Sequence, residues 1–184
     1  MKGFTLLEVA ISMVILGIIV TATLPGYNNL SARINLRRTA NEVALVIREA
    51  QAYAFAVKGY DHDSNPGTPL LFNAWGINFD TSSINTFSMF VDLDSDESFD
   101  ANELVRTIPI SNGIKIRELA AQLESDGADV HNRTRLDIVY QRPNPDTTLT
   151  GDGSQYSDLE IILENSKGDT ATIVVWQSGQ ISVK

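Results

Sequence analysis

From Val9 to Leu24 the chain runs sixteen residues without one charge, and from Leu36 onward the apolar positions become periodic. Leu36, Ala40, Val43, Ile47, Ala50, Ala54 and Val57 recur at alternating steps of four and three, while Arg37, Arg38, Asn41, Glu42, Arg48 and Glu49 fall between them. That spacing predicts an amphipathic helix with one apolar face. Gly59 is a natural stop for it. The simplest reading is one long helix from Phe4 to Lys58. Pro25 loosens it, since proline removes an intrahelical hydrogen bond, and Gly26 beside it adds backbone freedom.

After Gly59 the pattern changes again. Asp61 to Pro69 is polar and rich in breakers, so it reads as a loop. Strand-like runs follow at 71–79, 86–91, 104–109, 113–117, 136–141, 159–163, 170–176 and 180–183, with hairpin turns at Ser166-Lys167-Gly168-Asp169 and Ser178-Gly179. The stretch from Arg142 through Gly153 reads as a long loop. A long N-terminal helix followed by a meandering antiparallel sheet makes the fold class α+β.

The first apolar stretch has the length of a membrane span. Phe4 to Leu24 is twenty-one residues, which at about 1.5 Å each reaches roughly 31 Å, the thickness of a bilayer core. Glu8 is the anomaly within it. A carboxylate in that setting costs a few kcal/mol, so it either takes a partner or snorkels to the headgroups. A secretory signal peptide would carry its cleavage site after the apolar region. Here the small residue, Gly3, comes before it.

The segment Lys2-Gly3-Phe4-Thr5-Leu6-Leu7-Glu8 resembles the processing site of type IV prepilins and of the pseudopilins of type II secretion systems. The resemblance covers about the first sixty residues. It implies that a membrane-embedded prepilin peptidase cuts between Gly3 and Phe4 and that the new amine of Phe4 is N-methylated. Glu8 matches the acid that neutralises the amine of a neighbouring subunit during assembly, and Pro25 falls where the family places a helix-distorting proline. The resemblance divides the chain into a leader (1–3), a transmembrane and filament-core helix (4–27), an amphipathic helix half (28–59) and a β globular domain (60–184). It further implies an inner-membrane assembly platform and other pilin or pseudopilin subunits as partners. Such a chain is a single-pass inner-membrane protein before assembly and part of an extracytoplasmic filament afterwards. Ala74-Trp75-Gly76-Ile77, Phe90-Val91-Asp92 and Gly179-Gln180-Ile181 look closest to the minor pseudopilins.

Charge changes part of this picture. The net charge is −9 and there are no cysteines, so no disulfide is available and a generic nucleic-acid binder is disfavoured. From Arg33 to Lys58, however, five basic residues face two acidic ones. Basic residues just beyond a membrane helix usually stay in the cytoplasm, which argues against an exported C-terminal domain. The processing signal is the more specific observation and decides the topology. Removing the N-terminal helix leaves roughly 125 residues, enough for one core.

Asp92 to Glu103 places six carboxylates in twelve residues, which repel one another unless water or a cation intervenes. The spacing matches an EF-hand calcium loop: oxygen ligands from Asp92, Asp94, Asp96, Ser98 through its carbonyl, and Asp100, with Glu103 bidentate. Glu97 stands where such a loop wants glycine, and the flanks read as strands rather than helices. The two readings are a calcium site and a water-solvated acidic hairpin tip.

The remaining motifs are bland. His62 between Asp61 and Asp63 reads as a solvated loop, Asn29-Leu30-Ser31 and Asn132-Arg133-Thr134 have sequon spacing by coincidence, and Trp75 and Trp176 belong to the core. No nucleophile elbow, phosphate-binding glycine loop or metal-spaced histidine pair is present. The sequence therefore reads as a structural subunit rather than an enzyme. A minor pilin acting as a DNA receptor and a monomeric membrane-anchored calcium-binding surface protein are the alternatives, though the C-terminal hairpin carries only Lys184 as a cation.

Overall fold

One helix, α1, runs from Leu6 to Phe55. The structure is a computed structural model that describes residues 3–60, 74–111, 113–141 and 147–184, and the side chains of all of these except residues 22–29. The helix backbone continues through Pro25, whose side chain is not among those described, and the His62 loop and the segment Arg142 to Asp146 lie outside the described residues. Thr5 caps the start of α1 in an extended conformation and satisfies the backbone N–H of Glu8, one of the donors that a helix N-terminus leaves without an intrahelical partner.

The end of α1 differs from expectation. Helix geometry stops at Phe55 and not at Gly59, because Val57 turns left-handed at φ +52. Lys58 N–H then reaches the Tyr53 carbonyl (3.0 Å) and Val57 N–H the Ala54 carbonyl (3.2 Å), which is the Schellman closure, with valine where glycine is usual. The aromatic side chains beside it explain the site. The Lys58 ammonium lies 3.4 Å from the Tyr53 ring centre, and Trp75 Nε1 donates to the Lys58 carbonyl at 3.1 Å. These contacts tie the helix end to the first strand.

The strands are β1 (Ala74–Asp80), β2 (Thr86–Asp92), β3 (Leu104–Pro109), β4 (Lys115–Leu123), β5 (Asp129–Val130), β6 (Arg135–Tyr140), β7 (Thr147–Gly151), β8 (Ser154–Glu164), β9 (Thr170–Trp176) and β10 (Ile181–Val183). All pairings are antiparallel, in the order β10-β9-β8-β7-β6-β1-β2-β3, with β4 on β8 and β5 on β4. The α+β architecture is therefore as read from the sequence. The loop expected up to Gly153 is not all loop. Its last part forms β7, which pairs with β6 and joins β8 through Asp152-Gly153, both left-handed at φ +48 and +77. Two consecutive positive φ values make this the tight hairpin that suits strand twist.

Register sorts the side chains by face. Ile77, Met89 and Ile138 share one rung and point to α1, whose stripe of Leu36, Ala40, Val43, Ile47, Ala50 and Ala54 is buried against them. The alanines leave room for the close approach. Gly76, Phe90 and Val139 share the neighbouring rung and point the other way, where Phe99 covers them. A Cβ on Gly76 would lie 2.3 Å from the Phe90 ring, so that position needs glycine. The sheet is thus covered on both faces, by the helix on one and by the acidic loop on the other.

Candidate functional site

At the helix start, Gly3 and Phe4 are exposed ahead of the cap. Glu8 is not left bare in the single chain. Its Oε2 accepts from the Thr5 N–H (2.8 Å) and from Thr5 Oγ1 (2.9 Å), closing a capping box. Both bonds fall on one oxygen, and among the described residues Oε1 has room for a second donor. The other polar side chains of this stretch return to the helix backbone: Ser12 Oγ donates to the Glu8 carbonyl (2.8 Å) and Thr21 Oγ1 to that of Gly17 (2.9 Å). Such back-bonding is how hydroxyls are tolerated in apolar surroundings.

Around these groups the helix is apolar on every side. Leu6, Leu7, Met13, Val14, Leu16 and Ile18 are all more than three-fifths exposed. A helix apolar all round is stable in lipid or against other helices, not in water. Among the described residues no helix is long and apolar enough to cross a membrane. The expected span, Phe4 to Leu24, continues past Thr21 into positions whose side chains lie outside the described residues.

The acidic loop is the second site. Asp92 closes β2 and is buried, as is Glu103 in the 3₁₀ turn Ala101–Glu103. Asp92 accepts the N–H groups of Ser95 (2.7 Å) and Glu97 (3.1 Å), Asp94 that of Asp96 (3.3 Å), and Asp96 that of Ser98 (2.8 Å). Glu97, the residue standing in the glycine position, does take the left-handed turn, at φ +61, and Ser95 does so at φ +65. Carboxylate oxygens of Asp92, Asp94 and Asp96 come within 4.8 Å of one another.

Two of the other expected ligand residues also make hydrogen bonds. Glu103 accepts from the Leu93 N–H (2.7 Å) and the Asp100 N–H (3.1 Å), and the Ser98 hydroxyl accepts from Arg135 at 3.4 Å. Burial pushes the Asp92 and Glu103 carboxyls above their ordinary range, and neighbouring carboxylates add to the rise. The backbone N–H groups they accept work against it.

Sequence reading missed Arg135 and Asp137. Arg135 reaches the Phe99 carbonyl, lies 5.6 Å from the Phe99 ring centre, and pairs through Nε with Asp137 at 2.8 Å. Asp137 is buried and also accepts from Asn78 Nδ2 at 2.7 Å. Together they fasten the acidic loop to the sheet. A cavity of about 490 Å³ beside them is lined by Glu97, Ser98, Arg135, Asp137 and the β7–β8 turn. The signal was the alternation of Arg135, Asp137 and Val139, which puts two charges on a face that sequence alone gave no reason to cover.

Residues 1–24 match the prokaryotic N-terminal methylation motif, the prepilin-cleavage signal of type IV pilins and pseudopilins. The motif supports a type IV pilin-like processed protein and implies prepilin peptidase as the processing partner and a membrane-anchored precursor. No curated protein and no solved structure matches the chain.

Proposed function

We propose that this chain is a structural subunit of a type IV pilus or a type II secretion pseudopilus, cut between Gly3 and Phe4, held in the membrane by the first half of α1 and then packed through that half into a filament. The observation that carries the reading is the methylation motif on a helix that continues unbroken into the core of a folded head. Up to Thr21 α1 exposes apolar side chains all round, and the second half is rooted in the sheet. A head on such a stalk suits assembly better than catalysis.

Lipid tails are as apolar as leucine, so helices gain little hydrophobic energy by leaving lipid for one another. Packing and polar pairing must then supply the preference. The Phe4 amine of a neighbouring subunit would take the free oxygen of Glu8, an acid that costs a few kcal/mol near hydrocarbon while unpaired. The test combines intact mass with assembly. Wild-type protein extracted from membranes of a host with prepilin peptidase should begin at N-methylated Phe4. Glu8→Ala should be cut and inserted normally yet be largely absent from sheared filaments. A chain that keeps Met1 to Gly3, or a Glu8→Ala variant that assembles as well as wild type, would refute the proposal.

A further inference from the structure

The side of α1 turned away from the sheet carries a second stripe. Ile34, Arg37, Asn41, Leu45, Arg48 and Phe55 recur at helical spacing over about 32 Å, and all six are exposed. Three are large apolar residues, with Ile34 57%, Leu45 59% and Phe55 42% exposed. The stripe has no acid on it. Glu42 and Glu49 sit on the helix flank, taken by Arg38 (3.0 Å) and Arg106. Arg37 forms no ion pair among the described residues, and Arg48 reaches only the carbonyl of Ile181 at 3.3 Å.

The opposite charge lies on the opposite side of the molecule. Asp94, Asp96 and Asp100 are exposed on the loop that covers the sheet face away from α1, and Leu104 beside them is 40% exposed. Arg135, the cation touching this loop, is already engaged by Asp137 and the Phe99 carbonyl. The imbalance extends to the whole chain. Residues 4–60 hold five basic and three acidic side chains, and residues 61–184 hold eight basic and twenty acidic ones.

We propose that this outer stripe docks the acidic loop and Leu104 of a second copy of the chain. The inference rests on the filament reading and names the surfaces that meet. Within one chain the two patches face away from each other, so they cannot pair. A two-fold dimer through the stripe would set arginines against arginines, which repel. A head-to-tail contact instead joins unlike patches and leaves one of each open at the ends. A contact of that kind propagates into a helical filament unless it closes a ring.

The absence of cysteines makes a direct test clean. Asn41→Cys and Asp100→Cys are placed together in the full chain, expressed with its processing and assembly machinery, and treated with a short bis-maleimide. The expected product is a ladder of trimers and longer oligomers, with none from either single variant or from Asn41→Cys paired with Glu160→Cys on the β4–β8 part of the sheet. Adding Arg37→Glu and Arg48→Glu should weaken the ladder by about tenfold or more, because like charges then meet across the contact. Asp94→Lys with Asp96→Lys should restore it. Filaments seen by electron microscopy without a ladder would overturn this contact and leave the filament reading standing. A product that stops at the dimer would also overturn it. Neither filaments nor ladder would sink both readings.

Discussion

Replacing Arg135 by methionine should cost the head domain much more than an exposed arginine would. Arg135 is about a third exposed at its side chain, but its partner Asp137 is 1% exposed and 2.8 Å away. Breaking a buried pair from one side strands the other charge, at about 3–5 kcal/mol. Partial solvent access at Arg135, and the hydrogen bond from Asn78 that Asp137 keeps, reduce this to roughly 2–4 kcal/mol. For a domain of this size that corresponds to roughly 5–15 °C in melting temperature. The assay is urea unfolding of a chain starting at Leu30, since among the described residues the buried core begins at Leu36.

The pH dependence identifies the cause. Burial already holds the Asp137 carboxyl above its ordinary range, while Asn78 and Arg135 pull it down. Without Arg135 it rises further, so the folded state favours the protonated acid more strongly. A carboxyl whose folded value is raised costs stability above that value, and the cost is relieved as pH falls toward the unfolded value of about 3.9. The deficit of Arg135→Met should therefore be largest near pH 7 and shrink toward pH 4. Adding Asp137→Asn should recover much of the loss at pH 7, because the two positions are coupled. A deficit below about 1 kcal/mol, the worth of a surface pair, and flat with pH would refute the reasoning.

Three further outcomes are open to measurement. If the acidic loop holds calcium, millimolar calcium should raise the melting temperature of the same chain by several degrees, since ligand at a hundred times its dissociation constant adds about 2.7 kcal/mol; magnesium should do much less, and Asp92→Asn with Asp94→Ala should remove the effect. Val57→Gly should raise the unfolding free energy by about 1 kcal/mol, seen as a higher urea midpoint at unchanged slope, because valine at φ +52 carries a left-handed strain that glycine lacks. Gly151→Ala should lower that free energy by about 2–3 kcal/mol, because the added Cβ would lie 2.2 Å from the Arg135 carbonyl oxygen and only a backbone shift can make room.

What the sequence determined by itself is local or periodic. Six of the seven apolar positions read from the spacing, Leu36 to Ala54, fix the buried face of α1, because helical geometry repeats every 3.6 residues whatever the chain packs against; the seventh, Val57, lies past the helix end. The runs at 104–109 and 170–176 match β3 and β9 to the residue, since alternation and β-branched residues speak for strands without long-range help. The processing segment is read as a linear motif and needs no fold. Asp152-Gly153 was equally legible as a hairpin turn and went unread, because the threonines of β7 carry little apolar signal.

The tertiary structure decided what depends on neighbours. Val57 ends the helix two residues before Gly59, because Lys58 gains its place over Tyr53 and its carbonyl meets Trp75. Glu103, read by spacing as a bidentate ligand, also accepts the N–H groups of Leu93 and Asp100, donors brought to it by the turn of the loop. Arg135 and Asp137 alternate on β6 like any polar face. They become an anchor only because Phe99, thirty-six residues earlier, folds over them. Periodicity shows which side of an element is distinct, but what covers that side is set by long-range packing, and at the acidic loop that packing makes an outward-looking face an interior one.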